Sequence, residues 1–204
     1  MSYTMKRLPL VLLVAVLVGC TGNSAAPDCA PNEDSLAASA DTLDESNYQG
    51  PQTIRGAVGD GTSMNVIEIV DSNGDTIYVT TPAQMVAGGV EAGDNIDVIY
   101  NVSSDENIGM VAINISRLAT VWNHISAHGM KQSIELCENG VVNTWNMPAP
   151  AYDSWKLEGG KLLMHSPAVL AKEIGEHTDT FHIMSLKRNE LVLSLHDNEI
   201  VYTR

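Results

Sequence analysis

Asp153-Ser154-Trp155-Lys156-Leu157-Glu158-Gly159-Gly160-Lys161-Leu162-Leu163-Met164-His165-Ser166 joins two short segments through a pair of glycines. Trp155 and Leu157 fall on one face of the first segment, which alternates with a period of two. That period marks a strand with one buried face, and the diglycine supplies the positive φ angles of a tight hairpin. The stretch therefore predicts strands over Asp153–Glu158 and Lys161–Ser166. The same grammar extends in both directions. Further strands are expected at Val121–Ala127, Gln132–Glu138, Val141–Met147, Thr178–Leu186, Glu190–His196 and Glu199–Arg204. Asn139-Gly140, Arg188-Asn189 and Asp197-Asn198 are the expected turns between neighbours. Eight strands in a row joined mostly by tight turns predict an up-and-down barrel, with an open sandwich as the alternative.

Upstream, the alternation begins after Tyr48. Strands are expected at Gln52–Val58, Met64–Val70, Asp75–Thr81, Asn95–Val102 and Gly109–Ile115. Ile67 and Ile69 share one face of the second. Asn73-Gly74 offers the positive φ positions of its hairpin, and Pro82–Val90 interrupts the pattern as a short helix or turn. Three strands, an insert and two more strands predict an OB-like five-stranded module. The fold class is thus all-β: residues 48–116 form the OB-like module and 117–204 the eight-stranded barrel.

The first 47 residues read differently. Lys6-Arg7 precedes an apolar run from Leu8 to Val18, too short for a hydrocarbon core that needs ~20 residues. A cleaved signal over residues 1–19 fits. Leu17-Val18-Gly19-Cys20 resembles the lipobox of bacterial lipoproteins, which implies that Cys20 becomes the acylated first residue of the mature protein. Several acyl chains on one residue make such an anchor durable. Thr21, which is not Asp, implies by the same resemblance the outer membrane rather than retention in the inner one. Residues 20–47 are rich in Ala, Ser, Asp and Glu and carry no Lys or Arg. They are expected to form a disordered acidic tether with an r.m.s. span of about 30 Å. Asp34-Ser35-Leu36, Asp41-Thr42-Leu43 and Asp75-Thr76-Ile77 resemble a bacterial O-glycosylation acceptor.

A second resemblance lies in the C-terminal half. Trp122 on the opening strand, the Asn139-Gly140 hairpin, Tyr152–Gly159, Asp179-Thr180-Phe181 and the terminal Tyr202-Thr203-Arg204 together resemble the lipocalin-like domain of small bacterial lipoproteins. Thr120 stands where lipocalins usually carry Gly. The resemblance implies that Arg204 packs across Trp122 as a structural signature, a cation–π contact worth about 0.5–2 kcal/mol. It also implies a small hydrophobic ligand held by burial of apolar surface in the barrel.

The formal charge is −14, and the signal would take only Lys6 and Arg7 from the basic side. This balance excludes a nucleic-acid partner, because Arg55 is the sole basic residue between Tyr48 and Ser116. His124 and His128 sit four apart on an expected strand, about 13 Å from each other, too far to share a metal ion. No Cys-x-x-Cys, Gly-x-Ser-x-Gly or phosphate-binding glycine loop occurs, so no catalytic residue, metal site or cofactor is assigned and no enzymatic activity is expected. Cys29 and Cys137 remain for a disulfide in an oxidising envelope, although a tether residue and a strand residue make an idle Cys137 the stronger expectation.

Candidate ligand contacts come in pairs along strands. They are Trp145 and Met147, Trp155 and Leu157, and Phe181 and Ile183, with core packing as the competing explanation for each. A ligand would need a dry pocket of about 300 Å3 or more behind Trp145 and Trp155. The expected function is a lipid-anchored envelope protein that binds such a ligand. The alternative is an interaction or envelope-sensing lipoprotein whose partner is another envelope protein. A family of envelope-stress and copper-resistance lipoproteins pairs the two module types in the opposite order, with Cys motifs absent here.

Overall fold

The computed structural model describes residues 50–103, 106–148, 151–167 and 175–204. The signal, Cys20, the tether, Cys29 and the acceptor tripeptides at Asp34 and Asp41 lie outside them.

The first barrel uses β1 (Gln52–Val58), β2 (Val66–Val70), β3 (Thr76–Thr80), β4 (Val86–Ala87), β5 (Asn95–Val102) and β6 (Asn107–Asn114). Alternation places Ile67 and Ile69 of β2 inside, beside Val79, Ile96 and Val98. The sheet runs β3-β2-β1-β5-β6-β4, and a parallel bridge between Thr80 and Ile108 joins β3 to β6. Five strands thereby close into the OB-like barrel. The Pro82–Val90 interruption is a 3-10 turn at Ala83–Met85 followed by the two-residue β4.

The β2–β3 hairpin departs from expectation. Gly74 alone has positive φ, at 86°. Asp71 N–H bonds Asp75 O at 3.0 Å and Gly74 N–H bonds Asp71 O at 3.1 Å. This is an ordinary turn finished by a left-handed glycine, so Asn73 need not leave the common region. The same pair of bonds recurs at Ser126–Met130 with Gly129 and at Cys137–Val141 with Gly140.

An unexpected helical turn, α1 (Ile115–Leu118), links the barrels. Asn114 caps it, accepting Arg117 N–H at 2.8 Å, while its amide donates to Gly89 O and to Asp94. The expected strand Gly109–Ile115 stops at Asn114 because Asn is a strong N-cap.

The second barrel comprises β7 (Val121–Ile125), β8 (Lys131–Leu136), β9 (Val142–Trp145), β10 (Ser154–Glu158), β11 (Lys161–Ser166), β12 (His177–Leu186), β13 (Glu190–Leu195) and β14 (Asn198–Thr203). Every consecutive pair from β10 to β14 and from β7 to β9 is antiparallel, and β14 meets β7 through Thr203 and Asn123. A bridge between Val141 and Ser154 nearly closes the ring between β9 and β10. The open-sandwich alternative is set aside. The Gly159-Gly160 turn has φ of 58° and 73°. The last hairpin turns on His196 and Asp197, with φ of 48° and 65°, and Asn198 already pairs with Leu195. The expected Asp197-Asn198 turn is therefore shifted by one residue.

The two barrels fall within one compact unit. Alternation along β6 explains how. Ala112 enters the first core and the next residue, Ile113, enters the second. Ile115 and Leu118 of α1 join that second core, so one end of the eight-stranded barrel is packed against the link and the first barrel.

Candidate functional site: the eight-stranded barrel

The inner face of this barrel is built by alternation. Trp122, Ile134, Leu162, Met164, Leu191 and Leu193 have no accessible surface at all. These side chains fill the centre of the barrel. Trp122 is fixed twice. Its indole N–H donates to Leu118 O at 2.9 Å, and the guanidinium carbon of Arg204 lies 5.4 Å from its ring centroid.

Three of the six expected ligand contacts sit in this packed core. Trp155, Leu157 and Phe181 are buried within it, and Ile183 packs half-buried against it. The Trp155 indole N–H donates to Cys137 O at 2.8 Å. Trp145 and Met147 do not join them. In β9 the buried Val142 and half-buried Thr144 face inward, so Asn143 and Trp145 face out, and Trp145 is 48% exposed. Asn146 has φ of 57°, which ends the strand before Met147. The shared face expected for Trp145 and Met147 therefore does not exist. Met147 instead lines a surface depression of about 530 Å3 with Met130, Lys131 and Pro148, whereas Trp155 borders others. Neither depression beside Trp155 reaches Trp145.

The end of the barrel away from α1 has a different lining. The alternation of β11 places Ser166 on the inner face after Leu162 and Met164. Ser166 is fully buried, yet its hydroxyl has no hydrogen-bond partner among the described residues. On β12, Asp179 accepts from Tyr152 O–H at 2.7 Å, and the Tyr152 ring meets Phe181 edge-on at 6.1 Å. Burial first, and then the bond to Asp179, raise the Tyr152 pKa, while burial lifts Tyr202 to about 12. Both phenols stay neutral donors at ordinary pH. His124 lies 5.6 Å from the Tyr202 ring, with Nδ1 2.9 Å from Val201 O. Partly buried Leu195 and Ile200 complete this layer. Sequence reasoning missed it, although Ser166 continues the very alternation that selects Leu162 and Met164.

Residues 111–204 match the lipocalin-like family. This part of the chain is a lipocalin-like domain. The match begins inside β6, at the residues that pack beneath the second barrel. A solved lipocalin-like protein from Bacteroides thetaiotaomicron is 31% identical, covering 43% of this chain and 95% of that one with a TM-score of 0.38. No curated protein matches the chain.

Other polar groups of the lipocalin-like domain hold one another. His165 contacts Asp153 through Nδ1 at 2.9 Å and Glu176 through Nε2 at 2.8 Å. Ser154 O–H donates to Asp153 rather than meeting the imidazole. With both ring nitrogens engaged by carboxylates, His165 has no free site with which to activate a nucleophile. Among the described residues no three His, Cys, Asp or Glu side chains group as metal ligands. Cys137 is a half-buried free thiol whose sulfur lies 3.7 Å from the Asn143 amide.

Proposed function

We propose that this chain is a non-catalytic, lipid-anchored protein of the bacterial outer membrane whose lipocalin-like domain binds a small amphipathic molecule. The anchor is Cys20, on the strength of Leu17-Val18-Gly19-Cys20 behind a basic, apolar leader. The ligand would sit at the barrel end away from α1, its apolar part against Phe181, Leu195 and Ile200. Its polar part would meet the half-buried Tyr152–Asp179 pair and, once the side chains around it move apart, Ser166, which is itself fully buried in this structure. The unpartnered, fully buried Ser166 hydroxyl carries this reading. Such a group costs about 1–3 kcal/mol when left unsatisfied, which a ligand acceptor or donor would offset. The filled centre of the barrel argues against a purely hydrophobic ligand deep inside.

That same filled centre favours a second reading, an envelope protein that docks a partner and holds no ligand. Native mass spectrometry of the mature chain carrying Cys20→Ser, purified without detergent, separates the two. A retained small-molecule mass that Ser166→Ala diminishes supports ligand binding. A bare chain that captures one envelope protein stoichiometrically overturns it in favour of docking. Incorporation of labelled fatty acid into the wild-type chain, abolished by Cys20→Ser, tests the anchor.

A further inference from the structure

Two breaks in strand register have the same residue type at their centre. Between β5 and β6 the pairing steps from Ile99↔Val111 to Tyr100↔Gly109, leaving Met110 without a partner. Between β12 and β13 it steps from Ile183↔Leu193 to Ser185↔Val192, leaving Met184 without one. A bulge of this kind re-aims the extra side chain and recurs beside functional sites.

Both re-aimed methionines line one groove of about 430 Å3 where the two barrels meet. A third, Met85, lines it from the 3-10 turn. Pairing of Val86 with Ala112 puts Met85 level with Val111, one residue from Met110. Met85, Met110 and Met184 are 45%, 42% and 57% exposed, whereas the core methionine Met164 is fully buried. Met64 and Met130 are exposed as well, so what sets these three apart is that they line one groove, two of them from register breaks.

We propose that Met85, Met110 and Met184 form a thioether site for a soft monovalent cation, Cu(I) or Ag(I). Thioether sulfur is soft and neutral, so it selects such ions over Mg, Ca or Zn without having to lose a proton. Each side chain has three rotatable bonds, which lets sulfurs on three fixed elements converge. The acidic balance of the chain favours an incoming cation. Lys187, also at the groove, is paired with Glu190 at 2.6 Å, so its charge does not oppose one. Carboxylate, imidazole and thiolate clusters do not compete among the described residues.

The test uses the full chain with its cysteines alkylated and its methionine methyls labelled with carbon-13, titrated with Ag(I). Three methyl resonances, assigned by Met85→Leu, Met110→Leu and Met184→Leu, are expected to shift together and saturate at one ion per chain. Each single substitution should weaken binding by about tenfold or more, the lower bound for disturbing a metal site. Leu keeps the volume and apolarity of Met, so an apolar docking groove would tolerate it. Unmoved resonances, shifts centred on Met130 and Met147, or affinity indifferent to all three substitutions would overturn the site. Displacement of Ag(I) by excess Zn(II) would overturn its softness.

Discussion

Arg204 lies over the ring of Trp122, its guanidinium carbon 5.4 Å from the centroid, and also donates to Arg117 O at 3.4 Å. The last residue of the chain thereby joins the first strand of the eight-stranded barrel to the link before it. Trp122 in turn holds Leu118 O through its indole. Arg204→Ala should lower stability by about 0.5–2 kcal/mol through the lost cation–π contact. Trp122→Ala should cost about 3–5 kcal/mol, because the ring is fully buried. Arg204→Lys should fall between wild type and Arg204→Ala, since an ammonium keeps the charge but not the planar face. Urea unfolding followed by circular dichroism checks all three.

His196 and Asp197 both hold positive φ in the final hairpin, at 48° and 65°. Side chains strain such positions by roughly 1–2 kcal/mol each, and Asn-Gly is the favoured pair there. His196→Asn with Asp197→Gly should raise the melting temperature. An unchanged or lowered value would show that the turn is not under backbone strain.

That turn also shows what the sequence makes legible. Strands Asn95–Val102 and Lys161–Ser166 are readable end to end because alternation and flanking turn residues agree. The barrel topology follows from the same agreement. Alternation does not say which face is inner on a four-residue strand, and so Trp145 was legible as a strand residue but not as an outward one. Register breaks are hidden too. Gly109-Met110-Val111 and Ile183-Met184-Ser185 read as ordinary strand, and only pairing with β5 and β13 exposes Met110 and Met184 as extra residues. Ile113 and Ile115 read as the end of one module because nothing local records that they pack under the next.

Asp97 is buried on β5 and pairs with Arg55, whose guanidinium reaches it at 3.1 Å from a half-exposed position. Burial raises the carboxyl pKa and Arg55 pulls it back. A raised carboxylate pKa means the folded state loses stability as pH rises from 3.8 through the folded value. Arg55→Met should push the Asp97 pKa further up and extend that loss to higher pH. Carbon-detected titration of the Asp97 carboxyl measures the shift, and a pKa that falls in Arg55→Met would contradict the pairing.

His165 offers the opposite sign. A neutral imidazole has one N–H, so donating to both Asp153 and Glu176 requires the protonated ring. The bond to Asp153, then that to Glu176, raises the His165 pKa above 6.5, and the bond to His165 lowers that of Asp153 below 3.8. The histidine contribution is complete below 6.5 and disappears as pH rises through the folded value. The Asp153 contribution is complete above 3.8 and disappears as pH falls through its folded value. Stability from this set should therefore be greatest between 3.8 and 6.5. His165→Gln should flatten the pH profile of stability across the upper edge of that window while leaving the Asp97 edge in place. Proton NMR of the imidazole gives the direct check, and a His165 pKa at or below 6.5 would show that the second carboxylate contact is not held in solution.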